Sequence, residues 1–334
     1  MRNLRTIGAI GAMSLALTGC ATATTGAADD RLEIVATTTQ LADIARGVVG
    51  DGAQVTSLLQ PGQTAHAFDP GPALLSALAE ADLLVVNGAG LETWLDDTVD
   101  ASGFDGVIVD TSEDIDLIGA AEGGEAAQEA EPADAEADEP ALQAEGAFDP
   151  HVWTDPANAI VQAEAIRDAV TAAGPDADID ASAAAYIDRL TQLEEWMRAS
   201  VEQVPVDERL LVMNHDTFAY FARAFDARIV GTVLPSVDDN ADASAAHLDD
   251  LVAQIRGSGV RVVFSETSID PQLAATIARE AGVELRQGEE ALSADALGEE
   301  GSPTGTYIGS QIHNTTAMVT AWGVEPLPVP ESLS

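Results

Sequence analysis

The strongest constraint on the fold is a regular alternation of strand-like and helix-like segments, which begins at Leu32 and occurs twice along the chain. In the first half the strand-like runs are LEIVATT, AQVTSLL, DLLVVNG and GVIVD, and in the second half they are RLLVMNH, ARIVGTV, VRVVFSE and VELR. Alternating β and α segments of this length predict parallel sheets with helices on both faces, which is the α/β class. With 334 residues, the chain can bury two cores of this kind.

A long helix is predicted between the two halves, over residues 181–204. Its apolar residues recur at steps of three and four positions and form one stripe. They are Ile187, Leu190, Leu193, Met197 and Val201. Such a helix between two α/β units is suited to a rigid connection. The predicted organisation is therefore a first unit over residues 32–180, the connecting helix over 181–204 and a second unit over 205–334.

The N-terminal segment has the charge and hydropathy pattern of a secretory signal. Arg2 and Arg5 precede an apolar run over residues 7–17, which is too short to span a bilayer. The LTGC segment that follows resembles the lipobox of bacterial lipoproteins, in which the cysteine becomes the lipid-bearing first residue. We therefore expect a lipoprotein signal over residues 1–20, with residues 1–19 removed and Cys20 lipidated. A flexible tether over residues 21–31 should then anchor an extracytoplasmic protein to the membrane. The alternative is an ordinary signal peptide with an incidental cysteine.

The chain is strongly acidic, with a formal net charge of −43, and all 14 cationic side chains are arginines. Such a surface repels nucleic-acid backbones, so it argues against a nucleic-acid partner and favours cations. A surface that serves only solubility is the alternative. Residues 113–146 combine many carboxylates with Ala, Gly and Pro, a composition that predicts a disordered acidic loop in the first unit. This loop is either a weak collector of cations or a spacer without a specific role.

Three histidines lie at the mouths of loops. His66 follows the second strand, and His151 precedes a helix that Asp155 and Pro156 are expected to start. His215 ends the first strand of the second half. Three imidazoles at loop mouths suggest a metal cage, and His66 lies beyond the carboxyl end of a strand, where ligands bind in parallel sheets. Each histidine taken alone is more often an ordinary surface or hydrogen-bonded residue.

The remaining polar candidates are carboxylates of the second half. Glu266 ends its third strand, and Asp295 lies in the loop after its last strand. Cys20 is the only cysteine, so a thiolate metal site is excluded. Any metal must therefore be held by nitrogen and oxygen ligands.

Several stretches together resemble the cluster A-I solute-binding proteins, the receptors of bacterial ABC importers for zinc and manganese. They are QPGQTAHAFDP, VNGAGLETWL, FDPHVWTDP, NHDTFAYFARAF, VVFSETSIDP and SADALGEEGSPTGTYIG. They occur in the family's order between about Leu32 and Trp322. The resemblance implies two parallel-sheet α/β lobes joined by a long rigid helix, with a metal in the cleft between them. It also implies a monomeric receptor rather than an enzyme, with an ABC permease as partner and a metallochaperone as a further potential partner.

The resemblance also assigns the metal ligands. They are His66, His151, His215 and Asp295. Each ligating imidazole should donate its other N–H to a carboxylate or carbonyl. The carboxylates near these motifs are Asp69, Asp149, Asp155, Asp216 and Glu266, and Glu266 and Asp216 are the preferred partners. Glu266 as a fifth ligand is the alternative.

Zinc is the predicted cargo, because three neutral imidazoles and one carboxylate make a tetrahedral N3O shell that suits Zn(II). Related receptors with this ligand set also take manganese, so a manganese or mixed receptor is one alternative. A surface adhesin, a role proposed for some members of the family, is another. A metallohydrolase is disfavoured because four protein ligands leave no open position for water and the chain has no HExxH motif.

Overall fold

The computed structural model describes residues 31–66, 68–119, 147–174, 179–236 and 243–333. The predicted signal segment with Cys20, residues 21–30 of the predicted tether and residues 120–146 of the predicted acidic loop lie outside these ranges. Within the ranges, no helix is both long and apolar enough to cross a membrane.

The first lobe is built on a four-stranded parallel sheet. Its strands are β1 (Leu32–Ala36), β2 (Ala53–Ser57), β3 (Leu83–Val86) and β4 (Val107–Asp110). They lie in the order β2-β1-β3-β4. The helices of this lobe are α1 (Thr39–Val49), α2 (Pro72–Ala79), α3 (Leu95–Ser102) and α4 (Pro156–Ala173). Asp155 accepts a hydrogen bond from the backbone N–H of Ala157 at the start of α4, as expected for an N-cap followed by proline.

Both faces of this sheet are buried along β3 and along the second half of β1, whereas Val107 and Ile108 of the edge strand β4 are exposed. Ile34 and Ala36 of β1 face the larger core, whereas Val35 between them faces a smaller core that contains Leu78 of α2 and Leu95 of α3. Successive side chains of a strand point to opposite faces, so a strand covered by helices on both sides must be apolar throughout. This accounts for the continuous apolar runs in the sequence.

The predicted connecting helix is present as α5, which spans Asp180–Val201. Its stripe is buried at Leu190, Leu193, Met197 and Val201, in the same large core as the first lobe. The helix ends three residues earlier than predicted. Pro205 disfavours helical backbone at the residue before it, and the chain turns over residues 202–204.

The second lobe repeats the β–α alternation but divides its strands into two parallel pairs, β5 with β6 and β7 with β8. These strands are β5 (Leu210–Met213), β6 (Arg228–Thr232), β7 (Val262–Phe264) and β8 (Glu284–Arg286). The helices are α6 (Ala219–Ala224), α7 (Ala245–Ser258), α8 (Gln272–Ala281) and α9 (Tyr307–Ala321). Strand β5 lies beside β7, so the two pairs share one core.

Two segments have a local structure that their composition does not predict. Helix α3 starts at Leu95, after a turn that follows β3 and in which Gly88, Ala89 and Gly90 have positive φ angles of 74°, 52° and 80°. The acidic loop was predicted to begin at residue 113, yet residues 113–119 have a defined structure in which Ile115 is buried and Gly119 pairs with Phe148.

Candidate metal centre

The four predicted ligands lie at the carboxyl ends of strands or in the loops beyond them. His66 lies in the loop after β2, and His151 precedes the short helical turn that leads into α4. His215 follows β5 by two residues, and Asp295 lies between β8 and α9. The first lobe thus contributes two histidines, and the second lobe contributes one histidine and one aspartate.

These side chains converge on one point. One potential ligand atom from each residue can be chosen so that all four atoms lie within 4.8 Å of one another. The Nε2 atoms of His66 and His151 are 3.1 Å apart, Nε2 of His151 lies 3.6 Å from Oδ1 of Asp295, and Nε2 of His215 lies 3.4 Å from Oδ2 of Asp295. In a tetrahedral site with bonds of ~2.1 Å, neighbouring donors are about 3.4 Å apart. The spacing therefore fits one first-row divalent cation.

Three of the four side chains at the centre are buried. His151 and His215 have 0% of their surface exposed and Asp295 has 3%, whereas His66 is half-buried. Of the four side chains, that of His66 is therefore the most exposed to solvent.

Carboxylates orient two of the imidazoles. Nδ1 of His151 lies 2.7 Å from Oδ1 of Asp149, and Nδ1 of His215 lies 2.7 Å from Oε2 of Glu266. The hydrogen bond between Nδ1–H of His151 and Asp149 leaves the lone pair of Nε2 of this ring free to coordinate. At His215, Glu266 forms an ion pair with Nδ1, and the hydroxyl oxygen of Thr217 lies 3.0 Å from Nδ1 and 2.9 Å from Nε2. In both histidines Nε2 faces Asp295. Glu266 thus lies where the sequence predicts an orienting partner.

Asp216 differs from the prediction. No hydrogen bond joins its side chain to a ligand imidazole in the described part of the chain, and its buried Oδ1 has no hydrogen-bond partner there. Burial, followed by the nearby charge of Asp149, raises the pKa of Asp216 to about 6. Asp149, which lies two residues before His151, takes the orienting position instead.

The electrostatics of the centre favour a cation. Burial alone raises the pKa of Asp295, but the charges of the three histidines outweigh burial and lower this pKa. Burial lowers the pKa of His215, and Glu266 and Asp295 more than reverse this effect. The raised pKa of His215 thus favours a proton on this imidazole next to the charge of Asp295. A metal ion that binds here replaces that proton.

The other two histidines lie outside the cluster. Nε2 of His247 is 2.9 Å from the carbonyl oxygen of Thr232, and Nε2 of His313 is 2.8 Å from that of Ala291. Both side chains are half-buried. Both imidazoles therefore contact backbone carbonyl groups away from the His–Asp cluster.

Comparison with known proteins links this centre to a family. The profile of the ZnuA family, described as "Zinc-uptake complex component A periplasmic", matches residues 34–321. The manganese-binding lipoprotein MntA from Halalkalibacterium halodurans is 30% identical over 313 residues, which cover 92% of this chain and 95% of the relative. The zinc-binding protein TroA from Treponema pallidum is 28% identical over 301 residues, which cover 88% of this chain and 90% of the relative.

The fold leads to the same relatives. The solved structure of the periplasmic zinc-binding protein TroA from Treponema pallidum superposes with a TM-score of 0.73 at 25% identity, and covers 87% of this chain and 99% of that chain. The family match spans both lobes and includes all four residues of the His–Asp cluster. The chain therefore belongs to the ZnuA family, the metal-binding receptors of ABC importers, which are not enzymes.

Proposed function

We propose that this protein is the extracytoplasmic receptor that captures Zn(II) and delivers it to an ABC permease. The observation that carries this proposal is the convergence of His66, His151, His215 and Asp295 at the donor spacing of a tetrahedral zinc site. The cation is cargo, so the site must also release it. The position of the centre between two lobes suits that requirement, because a change in lobe orientation separates the donors.

Zinc is favoured by the donor chemistry. Imidazole nitrogen is a borderline ligand that suits zinc, and at a site with three imidazoles the affinity order of divalent metals places zinc well above manganese. Manganese prefers oxygen-rich shells, and this cluster offers one carboxylate.

Manganese is the second candidate, and two observations favour it. Neither carboxylate oxygen of Asp295 has a hydrogen-bond partner among the described residues, and the two oxygens face His151 and His215 respectively. The carboxylate can therefore bind through both oxygens, which raises the coordination number above four. In addition, the relative MntA from Halalkalibacterium halodurans is named for manganese binding.

Attachment and assembly form part of the proposal. We infer that residues 1–19 are removed, that Cys20 carries the lipid anchor, and that the mature receptor is a monomer which meets its permease at the membrane. Replacement of Cys20 by alanine should release the receptor from the membrane fraction without changing its affinity for zinc. An adhesin role would instead be supported if binding to host matrix survived the loss of both His66 and His215.

A titration of the purified mature chain tests the metal assignment. Metal-free protein should bind one equivalent of Zn(II), and a competition assay against Mn(II) gives the preference. His215→Ala should weaken zinc binding by more than ~100-fold, since it removes a ligand and not only an orienting partner. His247→Ala is the matched control, because His247 belongs to the same lobe but lies outside the cluster. Equal affinities of His215→Ala and wild type would refute the ligand assignment, and a preference for Mn(II) would select the second candidate.

A further inference from the structure

The Asp295 carboxylate lacks the kind of support that His151 and His215 receive. Each of those imidazoles is held by a carboxylate at Nδ1. By contrast, neither oxygen of Asp295 has a hydrogen-bond partner in the described part of the chain. The position of this ligand must therefore be set by its backbone, that is, by whatever holds the loop between β8 and α9.

That loop is held by side chains of the first lobe. The carbonyl oxygen of Ala294 accepts hydrogen bonds from the indole N–H of Trp153 at 3.1 Å and from Nε2 of Gln40 at 3.0 Å. Both donors are almost fully buried, with 3% and 2% of their surface exposed. A carbonyl oxygen has two lone pairs, so these two donors saturate it. The residue before a second-lobe ligand is thus fixed to the first lobe.

Trp153 also contacts a first-lobe ligand. Its ring centroid lies 5.3 Å from that of His151 in an edge-on arrangement, and its carbonyl oxygen accepts a hydrogen bond of 2.7 Å from the hydroxyl of Tyr307. The indole of Trp153 therefore contacts the ring of His151 directly. It is linked to Asp295 through its hydrogen bond to the carbonyl oxygen of Ala294. The two ligands belong to different lobes, so Trp153 ties their relative position to the packing between the lobes.

A second tryptophan makes the equivalent contact at another ligand. The indole N–H of Trp94 donates to the carbonyl oxygen of Ala65 at 2.8 Å, and Ala65 directly precedes His66. The ring of Phe68 packs against Trp94 with a centroid distance of 5.0 Å, so the loop is held on both sides of His66. At two of the four ligands, an indole thus fixes the peptide that carries the ligand.

We propose that Trp153 and Trp94 are positioning residues, which hold Asp295 and His66 for metal binding through the carbonyl groups of Ala294 and Ala65. This inference rests on the proposed function, because it concerns the affinity of the same centre. Its consequence is kinetic: the metal should leave faster when either indole N–H is removed, because the ligand it positions becomes free to move away.

The chain supplies matched controls for a test by Trp→Phe substitution. All four tryptophans donate their indole N–H to a backbone carbonyl, and neither of the other two acceptors directly precedes a ligand: Trp196 donates to Leu327 at 3.0 Å and Trp322 donates to Leu210 at 2.9 Å. Phenylalanine keeps an aromatic ring and removes the donor. All four variants therefore lose the same kind of hydrogen bond, and only two of these bonds lie beside a ligand.

The measurement is the rate of zinc release to an excess of chelator, with the dissociation constant and the thermal midpoint of the metal-free protein measured in parallel. Trp153→Phe and Trp94→Phe should each release zinc about 3- to 10-fold faster, the range expected from the loss of one hydrogen bond. Trp196→Phe and Trp322→Phe should match the wild-type release rate, even where they lower the midpoint. In an Asp295→Ala background, Trp153→Phe should have no further effect on affinity.

The outcomes separate this inference from the proposed function. Wild-type protein that binds neither Zn(II) nor Mn(II) overturns the proposed function and this inference with it. Wild-type binding combined with an unchanged release rate in Trp153→Phe and Trp94→Phe overturns this inference alone. An equal effect of Trp153→Phe with and without Asp295 also overturns it, because the indole then does not act through that ligand. If Trp153→Phe does not fold, Gln40→Met removes the other donor to the same carbonyl and should accelerate release in the same way.

Discussion

Glu266 holds His215 at two points. Its Oε2 atom lies 2.7 Å from Nδ1 of the ring, and its Oε1 atom accepts a hydrogen bond of 3.0 Å from the backbone N–H of His215. The two side chains are fully buried and come from the ends of neighbouring strands β7 and β5. The backbone hydrogen bond holds the carboxylate of Glu266 beside the ring, and its negative charge at Nδ1 favours a proton on that nitrogen.

Glu266→Gln should weaken zinc binding by ~10- to 100-fold, the range typical for partners that orient metal ligands. An amide N–H facing Nδ1 makes that nitrogen an acceptor, so the proton moves to Nε2, which must be bare to coordinate. Calorimetric titration measures the loss. Glu289→Gln, an exposed change in the same lobe, is the control and should leave affinity unchanged. A similar affinity for Glu266→Gln and wild type would argue against this orienting role.

Glu92 should make the stability of the protein depend on pH. Burial raises the pKa of Glu92 to about 7, although hydrogen bonds from Thr37 and from the N–H groups of Asn87 and Gly88 oppose the rise. A carboxyl group whose pKa is higher in the folded state stabilises the fold fully below its unfolded pKa of 4.5, and this contribution is lost as the pH rises to 7.

Relative to Glu92→Gln, the wild type should therefore lose up to roughly 3 kcal/mol of unfolding free energy between pH 4.5 and pH 7. Urea denaturation of both proteins at several pH values measures this difference, and the other titrating groups cancel because both proteins share them. Parallel pH profiles for the two proteins would show that Glu92 has an ordinary pKa.

The packing of α1 against α5 should be sensitive at Gly47. A Cβ atom at this position would lie 2.4 Å from carbon atoms of the Tyr186 ring. Gly47→Ala should therefore destabilise the fold by ~1–3 kcal/mol, as overpacking does. Gly257→Ala, on the exposed side of α7, meets no atom within 4 Å and should instead stabilise by up to ~1 kcal/mol. Thermal denaturation shows whether each variant is less or more stable than the wild type. An unchanged stability of Gly47→Ala would mean that the Tyr186 ring moves to make room for the added methyl group.

The turn after β3 should require glycine at position 88 for two reasons. Gly88 has a φ of +74°, and a Cβ atom there would lie 2.0 Å from Oδ1 of Asp110 and 2.4 Å from Oγ of Ser112. Gly103 has a φ of +71° but no atom within 4 Å of its Cβ position. Gly103→Ala should thus cost the backbone strain alone, about 1 kcal/mol, and Gly88→Ala should cost at least ~1 kcal/mol more because of the clash. Equal unfolding free energies for the two variants would exclude the clash.

Much of the architecture could be predicted from the sequence, because it depends on local patterns. Continuous apolar runs that alternate with helical segments predicted both α/β lobes, and the stripe from Ile187 to Val201 predicted α5. Composition alone did not predict the turn over residues 88–90, in which Ala89 adopts a positive φ of 52°. It also did not predict that Ile115 at the start of the acidic segment is buried, since burial depends on the neighbouring surface.

For the centre, the sequence by itself determined which donors are available: three histidines and a carboxylate at strand ends, within motifs of a known family. The tertiary structure alone decided how these donors are held. Asp149 lies two residues from His151 and was one of several candidates, whereas Asp216 lies next to His215 and does not orient its ring. The contact of Gln40 with Ala294 joins residues 254 positions apart, and no periodic pattern records it. Hydrogen bonds between distant segments depend on how the two lobes pack, and this packing is a property of the whole chain rather than of any single motif.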